Sequence, residues 1–144
     1  MSEQTSEMKH GDLTEKIIGV FYSVYNKLGH GFLESVYEEA MVMSLEDIGL
    51  TVQRQVSVPV WFHGKQIGDF RGDVVVEDCV LLELKAVQRL ESAHDAQLMN
   101  YLKSTHLEVG LLLNFGPRPE IRRRIVGNHS KNLGTLSKAA SQRI

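Results

Sequence analysis

The chain has 144 residues, 42% of them hydrophobic, and a formal net charge of -2, which suits one compact core and leaves little room for a second domain. Its single cysteine, Cys79, excludes an intramolecular disulfide and any four-cysteine zinc or iron–sulfur cage, so a reducing cytoplasm is the expected compartment. No apolar run approaches the roughly 18 residues of a membrane span, so no membrane partner is expected.

Residues 1–12 read as a flexible polar segment, 13–126 as the folded domain and 127–144 as a polar, basic tail. From Pro117 onward Arg118, Arg122, Arg123, Arg124, Lys131, Lys138 and Arg143 face Glu120 alone, a balance of +6 that leaves -8 for the rest. An acidic body could hold divalent cations while a basic end meets a polyanion backbone. A short charged tail can also be simply solvated.

In chain order, Asp12 and Glu15 resemble a capping box for a helix carrying Leu13, Ile17, Phe21, Val24 and Leu28 at helical spacing. Gly29, His30 and Gly31 stop it. A second helix is predicted from about Leu33 to Ile48, with Val36, Ala40, Met43 and Ile48 among its inward candidates and Gly49 as terminator. From Val52 the period becomes two, placing Val52, Val56, Val58, Val60 and Phe62 on one face and Gln53, Gln55 and Ser57 on the other. Pro59 gives this strand an edge position or a bulge. His63, Gly64 and Lys65 form a turn, and Gln66 to Phe70 return as a strand. Asp73 to Val76 and Val80 to Ala86, joined by a turn at Glu77 and Asp78, read as the centre of the sheet. Ser92 and Asp95 are the expected cap of a third helix over Ala93 to Ser104, and Val109 to Phe115 is an apolar strand ended by Gly116 and Pro117. Ile121, Ile125 and Val126 fit either an edge strand or a short helix.

Glu83 and Lys85 are the most informative pair. Their segment is apolar almost throughout, as in strands covered on both faces, and alternation puts Leu81, Glu83 and Lys85 on one face. Charges there cost desolvation energy unless they pair, reach the strand end or bind a metal. Asp73 stands ten positions before Glu83, so a tight hairpin would set the two carboxylates side by side. A divalent cation would turn their repulsion into ligation, and an all-oxygen set favours Mg²⁺ or Mn²⁺ over zinc. His30, His94 and Cys79 lack partners at ligand spacing and are set aside.

Asp73 followed by Glu83-Leu84-Lys85 resembles the D…(D/E)XK signature of restriction-endonuclease-like nucleases, with Gly72 where the namesake proline would stand. Gly31-Phe32-Leu33-Glu34-Ser35-Val36-Tyr37 is similar to the motif of the GxxExxY family of that superfamily, and Gln97-Leu98-Met99-Asn100-Tyr101 to the QxxxY element of its exonuclease-like branch. The resemblance covers approximately Leu13 to Phe115 and implies an α/β fold, a central mixed sheet flanked by helices with an αβββαβ core. It also implies a metal-dependent nuclease acting on nucleic acid, most readily DNA, with Mg²⁺ or Mn²⁺ as cofactor. Asp73, Glu83 and the Leu84 carbonyl would ligate the metal and Glu34 would complete the acidic set. Lys85 would position or activate water and offset charge in the transition state, while Gln97 would hold substrate or water. Tyr37 and Tyr101 would support the site. Arg122, Arg123 and Arg124 are the expected phosphate contacts. A nuclease-fold module that binds nucleic acid or a protein without cutting is the alternative, and a homo-oligomer is left open.

Overall fold

The computed structural model describes residues 10–131; residues 1–9 and 132–144, which include much of the expected flexible start and the basic positions Lys138 and Arg143, lie outside the described residues. Helices α1 (Gly11–Leu28) and α2 (Glu34–Asp47) precede strands β1 (Val52–Phe62), β2 (Lys65–Val76) and β3 (Val80–Lys85). Helix α3 (Ser92–Lys103), strands β4 (Val109–Phe115) and β5 (Pro119–Ile125) and a short 3₁₀ turn (Asn128–Ser130) follow. The strands form one mixed sheet in the order β1-β2-β3-β4-β5. Only the β3–β4 pair is parallel, because α3 carries the chain across between those strands.

Alternation along β3 and β4 separates two apolar layers. Val80, Leu82, Leu84, Val109, Leu111, Leu113 and Phe115 pack with Ile17, Phe21 and Val24 of α1 and Tyr37, Met41 and Leu45 of α2. Leu81 and Leu112 point the other way, onto Leu98, Tyr101 and Leu102 of α3. The αβββαβ core is thus present, extended by α1 in front and β5 behind.

Both hairpins turn through consecutive left-handed residues, His63 and Gly64 (φ 51 and 76) and Glu77 and Asp78 (φ 55 and 52). That mirror-image turn matches the twist of antiparallel strands. The pattern around Ile121 resolves as the edge strand β5, paired with β4 from Val109↔Ile125 to Phe115↔Pro119.

Four local expectations are corrected. Helix α1 has no side-chain cap at His10, and Asp12 lies inside its first turn, where a carboxylate suits the positive helix end. In α2 the buried face is Tyr37, Met41, Val42 and Leu45. Val36, Met43 and Ile48 are exposed; with apolar residues scattered around the whole helix, the phase was set by the aromatic contact of Tyr37 with Phe115. In α3 the residue before the helix is Glu91, whose backbone N–H donates to His94 Nδ1 at 2.9 Å. Asp95 serves elsewhere.

The fourth correction bears on the site. Gln66 to Phe70 and Asp73 to Val76 are one continuous strand, and the alternation of the β1–β2 hairpin breaks in its middle. Val52 packs with the α1–α2 layer, but Val56 and Val58 pack with the α3 layer. Likewise Val74 faces α1 and α2, whereas Phe70 faces α3 and a side chain at Gly72 would run into Leu81 and Tyr101. The ladder pairs Arg54↔Val74 and Val56↔Gly72, leaving Gln55 and Asp73 at the switch. Gln55 takes the left-handed φ 51 there, a kink without an extra residue, since the pairing stays in register on both sides and shifts only between Val60 and Trp61. Beyond it the hairpin projects past β3, which pairs with β2 only from Val74 to Val76, and forms an arm against α3.

Candidate functional site

The site lies where the hairpin switches face. Ladder pairing between β2 and β3 ends at Val74↔Leu82, and side chains take over. Asp73 N–H donates to Glu83 Oε1 at 3.2 Å, and Leu84 N–H donates to Asp73 Oδ2 at 2.7 Å. A strand residue presents N–H and C=O to the same edge, so the Leu84 carbonyl lies on the edge that Asp73 occupies.

Glu83 is only 6% exposed. Burial, then the Asp73 charge, raise its pKa to about 8, against smaller lowering contributions that include Lys85. Lys85 Nζ donates to Gln97 Oε1 at 3.3 Å, linking β3 to α3. Asp73, Glu83, Lys85 and Gln97 therefore open onto one cleft of about 580 Å³ between the hairpin arm and α3.

The other expected residues fall elsewhere. Glu34 is exposed in the first turn of α2, outside this cleft lining. Among the described residues no three His, Cys, Asp or Glu side chains gather as a metal cage, so Asp73 and Glu83 stand as a pair. Tyr37 is fully buried, donates to Gly29 O at 2.6 Å, accepts from Phe32 N–H at 3.2 Å and stacks on Phe115 at 4.2 Å. It ties down the α1–α2 turn, in which Gly31 takes φ 114. Tyr101 donates to Val56 O at 3.1 Å, fastening the arm to α3. Burial and then the Glu83 charge push its phenol up to about 12.

The arginine run is divided by strand alternation. Arg122 and Arg124 pair with Leu112 and Gly110, on the α3 side, and Arg123 with Leu111, on the other. Both Arg122 and Arg124 form ion pairs with Asp95, the latter at 3.0 Å, and Arg122 also donates to Leu90 O at 3.1 Å.

Asn114 went unnoticed in the sequence because it looks like an interruption in an apolar strand. It is fully buried and bonds both ways to the backbone of Val87, accepting at 2.9 Å and donating at 3.0 Å, and it donates to Glu120 at 2.8 Å. This fixes the exit of β3 just beyond Lys85. A buried polar side chain inside Leu111-Leu112-Leu113-Asn114-Phe115 was the available signal.

The two carboxylates suit a hard divalent cation. They offer oxygen donors alone, and burial together with the Asp73 charge leaves the ionised form of Glu83 disfavoured, a cost that a bound cation would offset.

A family model described as the PD-(D/E)XK nuclease superfamily matches residues 11–124. The chain is similar in fold to a solved structure described as the crystal structure of SSO0001, with a TM-score of 0.54 at 16% identity, covering 76% of this chain and 56% of that one. The chain thus spans little more than half the length of that structure. No curated protein matches.

Proposed function

This chain belongs to the PD-(D/E)XK nuclease superfamily, and from that premise we propose that the cleft hydrolyses phosphodiester bonds of nucleic acid, DNA above all, with Mg²⁺ or Mn²⁺ bound by Asp73 and Glu83. The observation that carries this reading is the joined pair of carboxylates, bonded through Asp73 N–H and Leu84 N–H, sharing a cleft with Lys85 and Gln97. When bound, the cation would supply Lewis-acid stabilisation of the phosphoryl oxygens and a more acidic water. Asp73, Glu83 and the Leu84 carbonyl would be its protein ligands, and Glu34 joins only if substrate or water bridges to it.

Lys85 places its ammonium beside the reacting phosphate and offsets the charge that grows there. Gln97 orients that ammonium through its Oε1. Tyr101 holds the wall of the cleft, and Tyr37 holds the turn ahead of α2. Glu83 must give up its proton before it can ligate.

Single-turnover cleavage of linear, circular and single-stranded DNA and RNA with Mg²⁺, Mn²⁺ or EDTA tests the proposal. Lys85→Met keeps much of the side-chain volume but removes the charge, so it should lower the rate about 10²–10³-fold with cation binding intact. Asp73→Asn should lose both cation affinity and cleavage. Parental rates in Lys85→Met would remove Lys85 from the reaction centre. A second reading, a module that binds without cutting, is favoured by the separation of Glu34 from the pair; binding without cleavage under either metal would support it.

A further inference from the structure

The cleft carries more positive charge than the reaction centre uses. Besides Lys85 it is lined by Arg71 of β2 and Lys103 in the last turn of α3, both exposed. Among the described residues no hydrogen bond or ion pair occupies either cation. Arg122 and Arg124 differ in this respect, being engaged by Asp95. Arg71 and Lys103 stand on different walls, one on the hairpin arm and the other on α3. With Lys85 they make three cations against the two carboxylates of Asp73 and Glu83. The cleft is thus a positively charged groove.

The space between the two walls, about 580 Å³, has room for a short stretch of one strand. Val60 and Phe70 add apolar surface to the arm's wall, against which an unstacked base can lie.

We propose that Arg71 and Lys103 form a phosphate clamp that holds a single strand of nucleic acid across the cleft. Cleavage of the held strand beside Lys85 rests on the function proposed above; the clamp itself is read by binding alone.

The test is fluorescence anisotropy with a labelled oligothymidylate in EDTA, titrated at several salt concentrations. Compared are the parent, R71A/K103A, the charge-preserving R71K/K103R, and K16A/K27A, which removes two exposed cations from α1 on the opposite layer. R71A/K103A should weaken binding at least about ten-fold and reduce the slope of log affinity on log salt by about 1.4, or two phosphate contacts at about 0.7 each. R71K/K103R and K16A/K27A should retain the parental slope. Because both clamp side chains are exposed, thermal melting should match the parent in every variant. Unchanged affinity and slope in R71A/K103A overturn the clamp, as does an equal loss in K16A/K27A, which would reduce the effect to net charge. Absence of single-strand binding by the parent, or stronger competition by a duplex than by a single strand, also overturns it. Failure of the nuclease reading looks different: the parent would bind the oligonucleotide in EDTA, yet leave it intact with Mg²⁺ or Mn²⁺.

Discussion

Glu83 is buried and shares its surroundings with the Asp73 carboxylate, so its charged form is disfavoured twice. Its folded pKa of about 8 lies above the ordinary 4.5, which means that the native state holds this proton more tightly than the unfolded chain. The stability it contributes is full below about pH 4.5 and is lost as pH rises through about 8. Melting in EDTA between these limits should therefore fall with pH in the parent and change much less in Glu83→Gln; parallel curves would contradict the assignment. Cation binding should follow the opposite trend. If the proposed site binds a cation, affinity should rise as Glu83 deprotonates, and binding below about pH 8 should release a proton, which calorimetry in buffers of different ionisation enthalpy measures.

Elements position these residues through a few close contacts. At Gly72 a Cβ would stand 2.4 Å from Leu81 Cδ1 and 3.1 Å from the Tyr101 ring, so any side chain there must displace Leu81. Gly72→Ala should destabilise by about 1–3 kcal/mol through overpacking and displace Asp73, seen as lower chemical-denaturation midpoints together with weaker cation binding. The α1–α2 turn depends on Tyr37, whose hydroxyl serves both Gly29 O and Phe32 N–H. Tyr37→Phe preserves the stacking on Phe115 but leaves those groups unpaired, a loss of about 1–3 kcal/mol. Denaturant titration should detect that loss, while single-turnover cleavage, measured well below the midpoint, should stay near the parental rate.

Across the whole molecule, the charged surface divides into a structural part and an available part. Arg122, Arg124 and Asp95 join β5 to α3. Replacing both arginines by alanine should lower stability by about 1 kcal/mol, since the pairs are partly exposed and screened by solvent. It should change the salt dependence of strand binding less than R71A/K103A does, and a salt-resolved binding series on both double variants compares them directly. No helix among the described residues is long and apolar enough to cross a membrane.

Much of this architecture is written locally. The 3.6-residue spacing of Ile17, Phe21 and Val24, the apolar runs of β3 and β4, and the turn chemistry of His63-Gly64 follow from short-range periodicity and backbone preference. Asp73, Glu83, Lys85 and Gln97 line one cleft, a placement that a tight hairpin and a following helix leave few ways to avoid. What tertiary structure decided was orientation. The phase of α2 turned on Tyr37 meeting Phe115, residues 78 positions apart. The face switch at Gln55 and Asp73 required a left-handed residue that local preference disfavours at glutamine. The division of the arginine run followed from its pairing with β4 and from Asp95 lying across on α3. Periodicity specifies which residues share a face of one element; which partner covers that face is set by packing between elements distant in the chain.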